Sequence, residues 1–291
     1  MADGNVTTTT AATHIDEMWT PELNRAIELD IVIAALFEDR SSDLPHGNVL
    51  HLPDSHHLTA DTKAAGTALT PQTITEDEQT FTVSTHQALA QRIEDIAAIQ
   101  SKYSQRAEFT YHGGYALSRA MDVACAALLD DNTTQSVGTL GSELSYTNLI
   151  SMRTYMRNSP VKGQQVMVVA PATYGGFLNT EQFINAMYNG DDKGMAVRKA
   201  QVGKIFGITV YESQLTTGTA PQSYGAAWAK GHFFKIVQRR PTTHTWYDNL
   251  HLAWVVSMDQ IYGVFERDEA DEAAEVTTRA KLGSVRLAAV K

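Results

Sequence analysis

Cysteine is nearly missing from this sequence: Cys125 is the only one in 291 residues. That excludes a disulfide within the chain and every zinc site built on several thiolates. Cys125 stands between Ala124 and Ala126, where a small buried apolar residue is the plain reading and a nucleophilic thiol the alternative. Basic residues are in the minority, 23 Lys and Arg against 33 Asp and Glu, giving a formal charge of −10. This balance argues against a protein that coats nucleic acid or an anionic membrane surface. No apolar run approaches the ~20 residues of a membrane span, and the start of the chain lacks the basic and apolar regions of a signal peptide. No unit repeats at a period of about 20–50 residues. The expectation is a soluble protein made in a cytoplasm, long enough for one large domain or two subdomains.

Catalytic signatures are scarce as well. Gly203-Lys204 resembles the end of a phosphate-binding loop, but Arg198 stands where the first glycine belongs and Ile205 where Ser or Thr is required. Nucleophile elbow, dinucleotide glycine fingerprint and zinc-protease helix are all missing. His46, His51, His56 and His57 cluster in one polar stretch, with Asp54 and Asp61 nearby as further metal ligands. Adjacent residues on an extended chain point to opposite sides, so exposed loop histidines are the simpler reading. Asp191-Asp192 beside Gly190 and Lys193 reads as a solvated turn. Lys230, Lys235, Arg239 and Arg240 alternate with Phe233, Phe234, Trp246 and Tyr247, the mixture used to bind single-stranded nucleic acid. A half-buried strand with cationic outer positions explains it equally, and the net charge favours that alternative.

What is present is a long apolar periodicity. Over residues 87–131, Leu89, Ile93, Ile96, Ile99, Tyr103, Ala107, Tyr111 and Tyr115, then Leu117, Met121, Ala124 and Leu128, recur at helical spacing without a proline. One helix of that length would span roughly 67 Å. Ser84 or Thr85 is placed to cap it, and Gly113-Gly114 predicts a bend, a close packing contact or a break. Before it, residues 1–13 form a polar arm. A helix follows from Trp19, started by Thr20 and Pro21 and ending near Asp39. Residues 41–85 predict two strands, around Val49–Leu52 and Phe81–Val83, joined by an excursion over 53–72 with little that forms a core. After it come a helix over 145–158 closed by Pro160, a doubly buried strand over 166–171, a turn, and a helix from Asn179. Strands then occupy 202–211, 226–237 and 251–256, with a turn at Arg240-Pro241 between the last two. Five acidic residues lie among Asp268 to Glu275, and a short apolar run closes the chain at 285–290.

The order of these parts resembles the major capsid proteins of tailed bacteriophages, the Hong Kong 97 type of fold. Gln91-Arg92-Ile93-Glu94-Asp95-Ile96, Tyr103 to Phe109, and Gly114-Tyr115-Ala116-Leu117-Ser118-Arg119-Ala120-Met121-Asp122 look like the family's spine helix, especially in short-tailed phage coat proteins. Residues 166–179, with Pro171 and Tyr174, are similar to the strand, turn and helix of its axial domain, and 202–213 to the strand pair that follows. The likeness runs from Met18 to about Phe265.

The resemblance implies an α+β fold with five parts: an N-terminal arm and helix over 1–40, an extended loop over 41–85, a peripheral domain with the spine helix over 86–140, an axial domain over 141–245, and peripheral return strands with the C-terminal tail over 246–291. It implies a structural protein of the virion, assembled in the bacterial cytoplasm from procapsid to phage head, that forms hexamers and pentamers of itself around double-stranded DNA. Scaffolding, portal and decoration proteins are the implied partners. No residue is assigned a catalytic, cofactor-binding or metal role, and Lys63 in the excursion is not assigned a crosslink. The alternatives are an encapsulin-like nanocompartment shell, a tail or head-completion protein, and a soluble enzyme using one of the histidines.

Overall fold

The computed structural model describes residues 31–54, 60, 62–69, 71, 77–101, 104–132, 135–159, 163–179, 203–219, 221–270, 279–280 and 283–290. The polar arm, the predicted start at Trp19-Thr20-Pro21, the helix expected after Asn179 and the Asp191-Asp192 turn lie outside those residues.

The chain enters through a short helix α1 (Ile33–Leu36) and strand β1 (Glu38–Asp39), so the expected helix ends three residues before Asp39. Strands β2 (Val49–Asp54) and β3 (Asp77–Thr82) pair antiparallel from Val49↔Thr82 to Asp54↔Asp77, as the alternating runs predict. Next come β4 (Thr85–Glu94), α2 (Asp95–Gln100) and α3 (Gln105–Leu128). The predicted single helix over 87–131 is therefore corrected: residues 87–94 belong to a strand, and the helical part is split into α2 and α3. Leu89 and Ile93 are four residues apart, a spacing that is even and also near one helical turn, so local periodicity fits both forms. Ten cross-strand partners along β11 (Ala253–Glu266) decide the matter. Tertiary pairing overrides the helix propensity of Ala88, Leu89, Ala90 and Gln91.

Helix α3 starts instead at Ser104, whose Oγ accepts from the Ala107 N–H. It runs unbroken through Gly113-Gly114. Of the three outcomes expected there, close packing is the one found: a Cβ on Gly113 would stand 2.8 Å from Met258 Sδ and 3.1 Å from Leu89 Cδ1, so the glycine lets the helix lie against β4 and β11. Ser145 caps α4 (Tyr146–Asn158) by accepting from the Asn148 N–H, in agreement with the predicted helix.

Two main sheets result. Strands β1, β10 (Phe233–Asp248), β11 and β4 form a four-stranded sheet in the order β1-β10-β11-β4. The predicted turn at Arg240-Pro241 is also corrected. β10 continues through it, with register shifts between Val237 and Arg239 and between Arg239 and Thr242. Pro241 has no N–H for the ladder and is accommodated at this irregularity. The real turn covers residues 249–252.

The six-stranded sheet combines β5 (Ser136–Gly138), β6 (Gln165–Val169), β7 (Lys204–Ile205), β8 (Ile208–Glu212), β9 (Gln222–Ala229) and β14 (Ser284–Val290), in the order β5-β14-β9-β6-β8-β7. β6 is buried along almost its whole length, as its unbroken apolar run predicts. Helix α5 (Pro171–Asn179) follows it where a turn was expected. The predicted strand at 202–211 is a hairpin, β7–β8, turning on Phe206 and Gly207, both with positive φ. The closing apolar run pairs with β9 and β5, so the last strand joins this sheet rather than the return strands. A small ribbon of β12 (Glu269–Ala270) and β13 (Arg279–Ala280) completes the described elements.

One core cluster fills the six-stranded sheet beneath α4 and α5, around Leu149, Met152, Met167, Phe177 and Ile208. A second joins both sheets to α1 and α3 through Phe37, Cys125, Leu129, Trp228 and Phe233, and a third seats the β2–β3 hairpin base with Phe81, Val83, Phe234 and Ile236.

Candidate functional site

One end of the four-stranded sheet is unusually apolar and open. Among the described residues, eleven large apolar side chains are exposed, and six belong to α2, the 249–252 turn and the flanking strand ends: Ile96, Ile99, Trp246, Leu250, Leu252 and Trp254. Leu250 is 92% exposed, Ile99 83%, Leu252 64% and Ile96 61%. The Asp95 N–H donates to Leu252 O at 3.1 Å, and Trp254 pairs with Ile93, so α2 and the turn share this tip. Several polar groups around it are paired within the chain. Tyr247 donates to Asp95 at 2.7 Å, which pushes the tyrosine pKa up. His251 lies 2.7 Å from Asp248 and holds that carboxyl below its usual range, with Arg92 3.4 Å away. Leu252 has a positive φ of 47°, a conformation that costs a bulky side chain energy. A cleft of about 230 Å³ beside it is lined by Ile93, Arg106, Thr245, Trp254 and Val256. Such a surface is suited to apolar contact with another macromolecule.

The second prominent surface is the β2–β3 hairpin. Among its described residues, the base is packed. Leu50 and Leu52 touch the third core cluster, and the side chain of buried Gln79 pairs with both backbone groups of Asp268. His46 is exposed, and His51 is exposed with Glu78 at 3.2 Å. Lys63 is exposed. His56, His57 and Asp61 lie outside the described residues. No group of three His, Cys, Asp or Glu among the described residues is arranged to hold a metal ion.

The basic and aromatic segment is divided by the fold. Phe233 and Phe234 are core residues. Lys235 Nζ donates to Ala34 O at 2.6 Å, Arg239 reaches Asp259 at 2.7 Å, and Tyr247 is engaged at the tip. The segment makes no continuous stacking stripe. Cys125 is buried, and burial pushes its thiol up to about 12, which leaves it a core residue and removes it as a nucleophile.

Three polar centres have no counterpart among the expectations. Asp122 is buried on α3 and accepts from the Ala34 N–H at 2.6 Å; burial raises its pKa. With the Lys235 bond it holds α1 against the spine. His232 and Glu266 form a buried pair 2.9 Å apart, and Ser284 donates to Glu266, tying β14 to the end of β11. Asp259 collects Arg239, Thr242 at 3.0 Å, His86 at 3.2 Å and His244 at 3.5 Å. The Arg239 guanidinium first, then His86 and Thr242, hold its carboxyl at about 2.

Because the Asp259 pKa is lowered in the fold, its stabilisation is present above the ordinary carboxylate value and is lost as pH falls from about 4 towards about 2. Asp259→Asn is therefore expected to melt earlier than the parent near pH 7, with the gap closing as pH approaches about 2. Thermal unfolding at stepped pH checks this, and a gap that stays constant would refute it. The local signal for two of these centres is an acid beside apolar residues, Met121-Asp122-Val123 and Met258-Asp259.

The comparisons accord with a shell protein. No curated protein sequence matches the chain. Among solved structures, the fold is similar to one from Mycobacterium phage Che8, with TM-score 0.78 and 19% identity over 94% of this chain and 96% of that one. It is also similar to the capsid of cyanophage P-SCSP1u (TM-score 0.74, 16% identity, 99% and 96% covered) and the acidic stable capsid of Helicobacter pylori bacteriophage KHP30 (TM-score 0.74, 8% identity, 99% and 100% covered). These likenesses establish the fold, the expected α+β arrangement of the Hong Kong 97 type. No helix among the described residues is long and apolar enough to cross a membrane. The family described as phage capsid protein matches residues 75–271, more than half of the sequence, and the chain belongs to it: it is a shell-forming structural protein of a phage head.

Proposed function

We propose that the chain forms hexamers and pentamers that close into an icosahedral head around double-stranded DNA, and that assembly takes place in the host cytoplasm with a scaffolding protein and a portal. The observation that carries this reading is the tip, where six large apolar side chains face solvent while Tyr247, Asp95, Asp248 and His251 are paired with one another. Apolar area removed from water contributes roughly 25 cal/mol per Å². A modest contact of that kind, repeated by every neighbour, is enough to favour a closed shell. The formal charge of −10 suits a container that must not hold its DNA tightly. No residue is asked to do chemistry.

For the five expected parts we propose changes of boundary in which β1 and β10 go with the peripheral sheet, and β5 and β14 with the axial one. The hairpin within 41–85 is the extended loop, and the four-stranded sheet with α3 is the peripheral domain. The six-stranded sheet with α4 and α5 is the axial domain, and it takes β14 from the C-terminal part. Sedimentation of the purified protein with and without its scaffold tests the reading. Fast-sedimenting closed particles support it, and a monomer or dimer that stays at the top of the gradient contradicts it. Particles loaded with enzyme instead of DNA would favour the nanocompartment.

Covalent linkage of subunits is proposed not to depend on Lys63. Lys63→Ala shells are expected to run on a denaturing gel as the parent shells do; loss of linked species in the variant would refute this.

A further inference from the structure

Arg157 lines a cleft whose other lining residues adjoin Arg153, which lies over Phe206, Lys204, two residues before Phe206, and Lys230, bonded through its backbone to Gln164. All four are exposed, and none forms an ion pair with a carboxylate among the described residues. Four other arginines are paired. Arg40, Arg92, Arg239 and Arg286 each have a carboxylate within 3.4 Å. In a chain of formal charge −10, the sign is locally reversed at this cleft.

The cleft, about 330 Å³, opens between the end of α4, the start of β6 and the β7–β8 turn, and is lined by Met156, Arg157, Ser159, Gln164, Gln165 and Phe206. Its lining holds no Asp or Glu. The Arg153 guanidinium lies 5.6 Å over the Phe206 ring, Lys204 enters the same turn, and the Lys230 N–H donates to Gln164 O at 2.8 Å. Arg157 also suits the C-terminal end of α4, but that accounts for only one of the four. Concave cationic surfaces focus their field and select anionic partners.

The size argues for a peptide segment over a nucleic acid. The cleft takes a few side chains, the one aromatic face is covered by Arg153, and the overall charge repels a polyanion of duplex length. The chain itself carries a matching segment: Asp268, Glu269, Asp271, Glu272 and Glu275 put five carboxylates into eight residues. We propose that the cleft receives the 268–275 run of a second copy of this chain, as a charge-complementary tie between neighbouring subunits. The proposal rests on the shell-forming reading and names one of its contacts. A cleft on one copy and a run on the next is a heterologous contact, the kind that continues around a ring. Its main effect is on register and partner choice, and it weakens with salt.

The test is a charge exchange in the full-length protein. Parent shells are assayed first, so that failure of the parent to form them counts against the shell reading itself. Arg157→Glu with Lys204→Glu, or Asp271→Lys with Glu272→Lys and Glu275→Lys, is each expected to cut shell yield by about tenfold at low salt while circular dichroism stays unchanged. Mixing the two exchanged proteins restores yield, because each cleft then meets a complementary run on the other chain. Should a reversal prevent folding, Arg157→Gln with Lys204→Gln is expected to lower yield and flatten its salt dependence. Unchanged yield in the cleft variants overturns the proposal. So does rescue only when both exchanges sit in one chain, which means pairing within a subunit. Normal shells with reduced DNA content overturn it too, since they assign the cleft to nucleic acid.

Discussion

Leu250→Asp combined with Leu252→Asp is expected to abolish shells and leave a folded, soluble subunit. Both side chains are mostly exposed, 92% and 64%, so the substitutions remove little packing within the chain. Leu252 has φ +47°, and aspartate tolerates that left-handed conformation better than leucine. The fold should be no weaker, or slightly stronger. In the assembled head the same two positions place unpaired charges in an apolar contact. That costs several kcal/mol for each desolvated carboxylate and recurs at every copy. Velocity sedimentation reads the loss of particles and circular dichroism reads the retained fold. Shells of normal size and yield from this variant would remove the tip from the assembly contacts.

Trp228→Ala is expected to act on the subunit itself, with a loss of about 3–5 kcal/mol in unfolding free energy. Trp228 is fully buried at the centre of the second core cluster, edge-on to Phe37 at 5.9 Å and to Phe233 at 5.4 Å. It joins the entering segment, the spine helix and both sheets, so truncation opens a cavity where these parts meet. The indole N–H has no hydrogen-bond partner among the described residues. Trp228→Phe is therefore expected to cost much less, because it removes an unsatisfied buried donor together with part of the ring. Urea unfolding of both variants checks the contrast, and equal losses would mean that the N–H is paired in solution.

How much of this was legible in the sequence depends on how local the cause is. Ser145 and the stripe through Leu149, Met152 and Met156 specify α4 by themselves, and the apolar run over 166–169 specifies a strand buried on both faces. The β2–β3 pair is readable because its alternating runs are bounded by turn residues. β4 was not readable. Leu89 and Ile93 satisfy helix and strand periods together, and the partner that decides, β11, lies more than 160 residues later. Pro241 reads as a turn, yet the ladder resumes beyond the register shift. The tip was missed because Leu250 and Leu252 look like ordinary strand residues until the turn and α2 bring them together. Asp122 and Asp259 were missed because their partners come from remote segments: Ala34 is 88 positions from Asp122, and His86 is 173 from Asp259.

Negative-stain electron microscopy of the purified protein after gel filtration, with and without scaffold, tests the shell-forming function most directly. Closed particles of uniform size are the expected result. A homogeneous monomer or dimer that forms no shell even with scaffold supplied would contradict it.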